Sequence, residues 1–359
     1  MDRIDRLEAA ILAGGRGERF WPLSRRGRPK QLLRLTGEES LLRSCWSRLR
    51  VRLPAERIHV IAASDLREAV LRELPELSAE RFLGEPVGRN TAPAVAVAAA
   101  LALRRGEDPI QLVVPADHWI DEPARFWEDV ATAVAVAAAG DAPLVTLGIP
   151  ITRPETGYGY IERGAARAEA PGAYRVARFH EKPDLETARG YQESGDFYWN
   201  SGMFVWRASA VLEELARHMP QLHALVLPLA RASDPVSLLP DVFARAQAHS
   251  IDNGLLEHSS RVAVVEARFD WTDLGNWSSW AERRVADAAG NTSAGEVVAV
   301  DSSDCVLYSQ DGLIATLGVR NLVVVKTGDV TLVIDRDRCQ DVRGILEAIR
   351  AKADLSEYL

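Results

Sequence analysis

The sequence predicts an α/β fold, in which a Rossmann-like, mostly parallel sheet carries helices on both faces and a small β domain follows. Two observations predict the sheet: short apolar runs alternate with longer segments of helical periodicity, and a glycine cluster closes the first apolar run. A third observation predicts the β domain, because after about residue 286 short β-branched runs are separated only by turn residues. We therefore expect one domain over residues 1–286 and a second over residues 287–359.

The individual elements follow the same alternation along the chain. Each expected strand is a short apolar run, and each expected helix is a longer segment of helical pattern between such runs. A further helical stretch over residues 340–352 is expected to close the β domain. The expected strands are residues 9–13, 58–62, 110–114, 144–148 and 262–266, and the expected helices include residues 40–50, 65–73 and 126–139.

One more helix is predicted in the segment "TAPAVAVAAALALRRG". Thr91 suits the N-cap, Pro93 suits the first turn, and Gly106 stands where a helix commonly ends. Parallel sheets bind ligands outside the carboxyl ends of their strands, which is where the glycine cluster falls. We therefore expect the functional site at that edge.

Composition limits the classes of function. The chain has 359 residues, of which 47% are hydrophobic and 26% charged, as is usual for a folded globular protein. Its net charge of −8 argues against nonspecific binding of nucleic acid, so an anionic ligand must meet a local cluster of cations. The three cysteines are far apart and predict neither a disulfide framework nor a metal site. The first residues lack a long apolar run, so we expect a cytoplasmic protein with no membrane partner.

The glycine cluster lies in the segment "AAILAGGRGERFWPLS", residues 9–24. A dinucleotide fingerprint requires a third glycine where this chain has Phe20, and a phosphate-binding P-loop requires a Gly-Lys-Ser/Thr triplet that does not follow. A purely structural turn remains possible, but it needs no concentration of positive charge. Four cations crowd this loop beside backbone N–H groups that can hold phosphate oxygens. They are Arg16, Arg19, Arg25 and Lys30.

The longer segment "LAGGRGERFWPLSRRGRPKQ" resembles the signature of the sugar nucleotidylyltransferase family, most closely its mannose-1-phosphate guanylyltransferase (GDP-mannose pyrophosphorylase) branch. Further motifs of that branch follow in the same order over nearly the whole chain. One departure occurs after "SID", where the family usually has an aromatic residue and this chain has Asn253. The later motifs are "EPVGRNTAP" (85–93), "VPADH" (114–118), "TGYGYI" (156–161), "FHEKPD" (179–184), "WNSGMF" (199–204), "SID" (250–252) and "DWTDLGNW" (270–277).

The resemblance implies a reaction in which mannose 1-phosphate attacks the α-phosphorus of GTP, giving GDP-mannose and pyrophosphate. It also implies that the C-terminal strands form a short left-handed β-helix. The apolar runs of these strands are too short to make an independent core, so we expect the strands to pack on the catalytic domain or on a second subunit, and we predict a homodimer.

The same resemblance implies roles for particular residues in three groups. The expected catalytic residues are Arg19, Lys30, Asp117 and Asp273. The expected nucleotide-binding residues are Leu12, Ala13, Gly14, Gly15, Arg16, Gly17, Glu85, Gly88, Arg89, Asn90 and Asp117. The expected sugar-phosphate-binding residues are Gly159, Glu181, Lys182, Asn200 and Asp252.

Glu85 has a chemical reason to contact the base. A carboxylate accepts hydrogen bonds from the N1–H and N2–H₂ edge of guanine, which adenine and the pyrimidines lack. The same loop can also serve as a helix cap, and capping by Thr91 leaves Glu85 available. From the residues alone, the Glu181–Lys182 pair of "FHEKPD" would be a surface ion pair before a proline turn, and the resemblance assigns it instead to the sugar phosphate.

Asp117 and Asp273 predict a magnesium site. Each follows an expected strand, and if both strands are parallel members of one sheet, both carboxylates reach the same edge. Two carboxylates about 4 Å apart at an effective dielectric near 20 repel by about 4 kcal/mol. Bound Mg²⁺ reverses that repulsion, since it commonly joins one or two carboxylates to substrate phosphates. The alternative is that each aspartate caps a local turn.

Two alternative functions remain open at this point. A related nucleotidylyltransferase could use glucose 1-phosphate with UTP, dTTP or ATP. A noncatalytic regulator could bind a nucleotide sugar as a signal, although such a protein would be expected to lose the charged residues that this chain retains.

Overall fold

The computed structural model describes residues 4, 7–104 and 108–359 and divides into two compact units. The chain passes from the first unit to the second inside the glycine cluster. The boundary expected near residue 286 stays a prediction about the sequence domains. The first unit contains Cys45–Ala116, Ile120–Trp271 and the described residues up to Gly14, and the second contains Gly15–Ser44, Asp117–Trp119 and Thr272–Leu359.

The strands lie close to the expected ranges, and the helices differ mainly at their ends. The strands are, in chain order, β1 (Glu8–Leu12), β2 (Ile58–Ala63), β3 (Phe82–Glu85), β4 (Ile110–Pro115), β5 (Trp119–Ile120), β6 (Leu144–Pro150), β7 (Gly159–Ala166), β8 (Ala173–Glu181), β9 (Phe197–Arg207), β10 (Val262–Glu266), β11 (Trp271–Thr272), β12 (Thr292–Val300), β13 (Val306–Leu317), β14 (Leu322–Lys326) and β15 (Thr331–Asp335). The α-helices are α1 (Leu41–Arg50), α2 (Arg67–Glu73), α3 (Thr91–Leu103), α4 (Pro123–Ala137), α5 (Leu185–Ser194), α6 (Ala208–His218), α7 (Pro220–Val226), α8 (Leu239–Arg245), α9 (Trp277–Ala281) and α10 (Val342–Arg350).

The first unit contains a nine-stranded sheet in the order β3-β2-β1-β4-β9-β6-β10-β8-β7. Parallel pairings join β3, β2, β1 and β4 and also join β6 to β10, whereas β9, β8 and β7 pair antiparallel with their neighbours. The α/β class is confirmed, and the sheet is mixed where the sequence predicted it mostly parallel. Strand β7 escaped prediction because polar and glycine residues break its apolar run, and β9 because Asn200, Ser201 and Gly202 divide it into two short apolar runs.

Burial along β1 shows that both faces of this sheet are covered. The consecutive residues Ala9, Ala10 and Ile11 are all buried, and successive strand residues point to opposite faces. Ala10 shares a core cluster with the alanine-rich α3, which is buried nearly all round. Helix α4 contributes the buried Phe126 and contacts β6, β9 and β10.

The start of α3 differs from the prediction that Thr91 is its N-cap. Asn90 caps the helix instead, because its side-chain oxygen accepts a hydrogen bond from the Thr91 backbone N–H at 2.9 Å. The Thr91 hydroxyl accepts from the Ile251 N–H at 2.8 Å and so joins two loops of the first unit. Gly106, the expected end of the helix, lies outside the described residues.

The second unit is built around a four-stranded sheet in the order β12-β13-β14-β15. Strands β12, β13 and β14 pair in parallel and β15 pairs antiparallel with β14, with no helix between successive strands. One apolar cluster joins this sheet to α9, α10 and the segment that follows the glycine cluster, including Phe20, Trp21 and Leu33. The left-handed sense of the β-helix that the resemblance implies stays a prediction. In the part of the chain that the structure describes, every helix is too short or too polar to cross a membrane.

Candidate active site

Gly17 fixes the geometry of the glycine cluster in the second unit. Its φ of 62° lies in the left-handed region that favours glycine. A Cβ added at this position would lie 2.1 Å from the Lys30 Cβ, which no real structure tolerates. The missing side chain therefore lets the Lys30 backbone approach the loop.

Lys30 then connects the two aspartates that the sequence singled out. Its ammonium lies 2.7 Å from the Asp117 carboxylate and 2.5 Å from the Asp273 carbonyl oxygen, and the lysine is buried. Burial acts to raise the pKa of Asp117, but the charges of Lys30 and His118 outweigh it and hold that pKa below its usual value. Asp117 is therefore an anion at neutral pH.

The route by which Asp273 reaches this cluster differs from the prediction. It follows β11, a two-residue strand that lies outside the nine-stranded sheet. The premise of two parallel strands in one sheet was wrong, and Asp273 joins Asp117 through their shared contact with Lys30. The Asp273 carboxylate also accepts the Gly275 N–H at 2.9 Å, so a tight turn orients it.

The arginines of the glycine loop occupy different environments. Arg16 and Gly15 are exposed, and a Cβ at Gly15 would meet nothing within 4 Å. Arg19 is partly buried, and its guanidinium donates to the Gln340 side-chain oxygen at 2.6 Å. The second unit thus holds Gly15, Arg16, Gly17, Arg19, Lys30, Asp117 and Asp273.

In the first unit, Glu85 ends β3 with its side chain toward Gly14. A Cβ at Gly14 would lie 2.6 Å from the Glu85 carboxylate, so a side chain at this position would displace that carboxylate. Within the described part of the chain, no hydrogen bond or ion pair reaches the Glu85 side chain. Burial without a cation raises its pKa to about 7. Such a carboxyl is suited to a ligand that brings its own donors.

Most of the other expected nucleotide residues of the first unit have structural partners. Leu12 and Ala13 make backbone hydrogen bonds to Ala116 and Ile61, at 2.9 and 2.7 Å, at the carboxyl edge of the sheet. Arg89 donates to the carbonyl oxygens of Phe243 and Ala244, at 2.9 and 3.0 Å. Gly88 is exposed with open space where a Cβ would be, and Asn90 is the helix cap. Arg89 and Asn90 therefore hold the loop in place, and their contact with a base stays a prediction.

The expected sugar residues come together where β7, β8 and β9 meet. Gly159 and Glu181 are partners across β7 and β8. A Cβ at Gly159 would lie 2.8 Å from the Glu181 carboxylate and 3.6 Å from the Asn200 Cβ. The pairing of β6 with β9 is irregular next to Asn200, and such irregularities commonly redirect a side chain.

Asp252 completes this group from a short π-helical turn, Asp252–Leu256. The Asn200 side-chain amide donates to the Asp252 carboxylate at 2.6 Å. Burial, with added repulsion from Glu181 and Glu257, raises the pKa of Asp252 to about 6. The site therefore has a carboxylate that gains from a neutral hydroxyl donor.

Lys182 stands at the rim of the same group. Its backbone φ of 44° is rare for a residue with a side chain, and its backbone N–H donates to the Tyr158 carbonyl at 3.1 Å. The side chain is 64% exposed and its ammonium lies 3.0 Å from Glu181. The lysine is thus free to turn toward an anionic ligand.

Three further residues support this site, and sequence reasoning missed them. The Thr146 hydroxyl donates to the Asn200 side-chain oxygen at 3.2 Å and so orients its amide. The rings of Tyr158 and Trp199 pack edge to face with centroids 5.3 Å apart, beside Gly159. Both aromatic residues stand inside quoted motifs, so their position was a usable signal, whereas Thr146 lies in an apolar strand without one.

The departure from the family pattern after "SID" also has a structural counterpart. Asn253 and Gly254 line a cavity of about 430 Å³ together with Met219. A Cβ at Gly254 would lie 2.7 Å from the Met219 sulfur, so a side chain there would have to displace the end of Met219. The Asp252 side chain bonds to Asn200 and does not line this cavity.

Known proteins are similar to this chain over nearly its whole length. Residues 8–289 match a family model described as nucleotidyl transferase, and residues 295–349 match a mannose-phosphate isomerase/GMP-like β-helix domain. A mannose-1-phosphate guanylyltransferase of Klebsiella pneumoniae is 42% identical over 98% of this chain and 75% of its own length. One of Escherichia coli is 43% identical over 96% of this chain and 74% of its own length.

A solved structure agrees with these sequences. The crystal structure of a protein named mannose-1-phosphate geranyltransferase, from Thermus thermophilus, superposes with a TM-score of 0.87 at 38% identity. It covers 96% of this chain and 99% of the Thermus chain. Both the catalytic fold and the β-domain therefore have a counterpart of known structure.

Proposed function

The chain belongs to the nucleotidyl transferase family, and from that premise we propose that it transfers GMP from GTP to mannose 1-phosphate. The products are GDP-mannose and pyrophosphate. Relatives more than 40% identical over nearly the full chain carry the name of this activity. The structural observation that supports it best is Glu85, a buried carboxyl with open hydrogen-bonding capacity next to Gly14.

Glu85 distinguishes among the four bases. Guanine presents two adjacent donors, N1–H and N2–H₂, and one carboxylate can accept both. Adenine and the pyrimidines lack that pair of donors, so they would leave the buried anion poorly solvated. A charged group left unsatisfied in a buried place costs more than the contact itself contributes, which favours GTP.

The reaction needs little covalent chemistry from the protein. An oxygen of the sugar phosphate forms a bond to the α-phosphorus, and the bond from that phosphorus to the bridging oxygen breaks, so pyrophosphate leaves. Catalysis then depends on position and on neutralising charge. In this proposal, Arg19 and Lys30 meet the triphosphate, while Arg16 and the loop N–H groups bind its oxygens.

The sugar phosphate is assigned to the group of Gly159, Glu181, Asn200 and Asp252. Carboxylate and amide side chains suit sugar hydroxyls, and the bare backbone of Gly159 admits the ring. Lys182 would leave Glu181 to pair with the phosphate, which is the stronger anion. The assignment of Lys182 rests on the exposure of its side chain and on its 3.0 Å ion pair with Glu181, which a phosphate would replace.

Mg²⁺ is proposed at Asp117 and Asp273. The described residues contain no group of three acidic, histidine or cysteine side chains suited to a metal. Mg²⁺ does not require one, because it accepts one or two carboxylates and takes its remaining oxygens from phosphates and water. Bound there, it would shield the charge of the α-phosphate and of the leaving group. The anionic state of Asp117 is compatible with this role.

A homodimer is proposed through the C-terminal sheet. Val298 and Val300 of β12 lie opposite Ala315 and Leu317 of β13, and alternation puts them on one face. Leu317 is 73% exposed, and the two valines are about half exposed. A contiguous apolar face of this kind is typical of an interface, and we assign it to a second copy of the chain.

A panel of substrates tests the proposed reaction. Pyrophosphate release is measured with GTP, ATP, UTP and dTTP, each paired with mannose 1-phosphate and with glucose 1-phosphate. We expect turnover with GTP and mannose 1-phosphate to exceed every other pair. A preference for UTP or dTTP would contradict the assignment of Glu85 to guanine.

A further inference from the structure

The signature loop, defined as residues 15–30, is held by contacts with residues from the far end of the chain. All of these contacts lie within the second unit. They join residues more than 300 positions apart in sequence, so no local pattern predicts them. The contacts are Glu18 with Arg350 at 2.5 Å, Arg19 with Gln340 at 2.6 Å, Arg25 with Asp329 at 2.7 Å, and the Trp21 indole N–H with the Tyr358 carbonyl at 2.7 Å.

The contact between Arg19 and Gln340 differs from the others because each partner is next to a buried anchor. Phe20 follows Arg19 and is fully buried, with its ring 5.1 Å from the Trp277 ring. Cys339 precedes Gln340 and is 3% exposed in the same apolar cluster. The backbone on both sides of the hydrogen bond is therefore fixed by the core, although the bond itself lies at the surface.

We propose that Gln340 is a positioning residue, which holds the Arg19 guanidinium in the orientation that meets the triphosphate. The inference rests on the proposed function. The Gln340 amide suits this task because its oxygen accepts one N–H of Arg19 and leaves the positive charge intact. The remaining guanidinium donors stay available for phosphate oxygens. The same amide keeps the arginine from swinging into solvent before GTP arrives.

Two substitutions of Gln340 separate position from packing. Gln340→Ala removes the acceptor, so Arg19 becomes mobile, and KM for GTP should rise about tenfold. Gln340→Glu holds Arg19 at least as firmly but places an anion where the triphosphate must bind. We expect about a 100-fold loss in kcat/KM for GTP, with an unchanged or higher melting temperature. If Gln340 had a purely structural role, Gln340→Glu, which holds Arg19 more firmly, would be more active than Gln340→Ala.

Controls come from the same turn and from Arg19 itself. Arg338 lies two positions before Gln340 and forms an exposed ion pair with Asp341 at 2.8 Å. Arg338→Ala breaks that pair and should change no kinetic parameter more than about twofold. The double variant Arg19→Ala with Gln340→Ala should match Arg19→Ala alone, because Gln340 acts through the arginine. KM for mannose 1-phosphate should stay within about twofold of the unsubstituted value in Gln340→Ala.

Two results would overturn the positioning role. One is unchanged GTP kinetics in both Gln340 variants while the melting temperatures show folded protein. The other is a full additional loss when Gln340→Ala is combined with Arg19→Ala. Failure of the proposed function gives a different result, because the unsubstituted chain would then not turn over GTP and mannose 1-phosphate. GTP binding measured by calorimetry on the same variants still tests Gln340 in that case.

Discussion

The two clusters of site residues treat their carboxyl groups in opposite ways. In the second unit, Asp117 is paired with Lys30 and its pKa is lowered. In the first unit, the buried Glu85 and the half-buried Asp252 have no cation beside them, and their pKa values rise to about 7 and about 6. The first arrangement is suited to phosphate and metal chemistry, in which charges must be balanced. The second is suited to neutral donors such as a base edge or a sugar hydroxyl. The class of ligand that each cluster binds can thus be inferred from whether its carboxyl groups are paired with a cation.

The strongest test of the charge-balanced cluster is Asp117→Asn. The amide keeps the shape but cannot pair with Lys30 or bind Mg²⁺ as an anion. We expect kcat to fall at least about 1000-fold, and EDTA to abolish turnover by the unsubstituted enzyme. Circular dichroism checks that the variant is folded. Full turnover by Asp117→Asn, or by metal-stripped enzyme, would remove the basis for a metal at this cluster.

Glu85→Gln tests the neutral-donor cluster. The change removes a charge-assisted contact with guanine, so kcat/KM for GTP should fall about 100-fold while KM for mannose 1-phosphate stays the same. In the unsubstituted enzyme, KM for GTP should rise as pH falls below about 7, because the carboxyl protonates there. The variant should lose that dependence. If KM for GTP depended on pH in the same way in the unsubstituted enzyme and in Glu85→Gln, guanine would not bind at Glu85.

The same substitution has a consequence for stability that can be measured without substrate. Because the pKa of Glu85 is raised from 4.5 to about 7, the native protein binds more protons than the unfolded chain between these values. The stability contribution of Glu85 is thus present below pH 4.5 and lost as pH rises through 7. Urea unfolding should show Glu85→Gln gaining about 3 kcal/mol relative to the parent between pH 4 and pH 8.

Lys182→Ala tests whether the exposed cation at the rim serves the sugar phosphate. We expect KM for mannose 1-phosphate to rise about 30-fold, since a charge-assisted contact is typically worth about 1.5–3 kcal/mol and this one is partly solvated. The KM for GTP should stay unchanged. A loss of GTP use with an unchanged response to mannose 1-phosphate would mean that the lysine serves the other ligand.

A smaller effect is expected from Thr146→Val, which keeps the shape and removes the hydroxyl that donates to the Asn200 side-chain oxygen at 3.2 Å and to the Met203 carbonyl at 3.3 Å. About 1 kcal/mol corresponds to about a fivefold loss in kcat/KM for mannose 1-phosphate. Asn200→Ala in the same background should cancel the effect, since Thr146 acts through the amide. Independent effects of Thr146→Val and Asn200→Ala would contradict the proposal that Thr146 acts through Asn200.

The smallest effect on catalysis is expected from Leu317→Glu at the exposed apolar face. Light scattering should show a monomer for this variant in place of the dimer expected for the parent. The kcat/KM of the folded variant should stay within about twofold of the parent value. Ala299→Glu, at an exposed position on the opposite face of β12, serves as a charge-changing control. A parent protein that is a stable monomer at micromolar concentration would count against the dimer.

How far the sequence predicted this molecule can be judged from particular residues. The strands β1, β2, β4, β6 and β10 were predicted within two residues because their apolar runs are continuous and bounded by turns. Lys30 and Asp117 were named as site residues from motifs, and the structure brings them within 2.7 Å. Their approach could not be derived from spacing, because it depends on the turn at Gly17.

Other residues carried no signal that a single sequence can supply. Gln340 lies 321 positions from Arg19, in a polar turn that resembles any surface loop. Thr146 stands in a buried strand, where a β-branched residue indicates packing and not a hydrogen bond. Thr91 was wrongly chosen as a cap because Asn90, one residue earlier, is an equally good cap, and only the backbone angles decide between them.

The packing of the signature loop limits how this chain can be cut or recombined. Phe20, Trp21 and Leu33 bury their side chains with Val306, Val323 and Leu332, which belong to the C-terminal strands. Two family models match successive parts of the chain, and the signature loop of the first part is folded against the strands of the second. A shortened chain that ends between the two families loses the support of the loop. Exchanging the β-domain for that of a relative would require matched changes at both ends of the chain, so the two modules are expected to have diverged together.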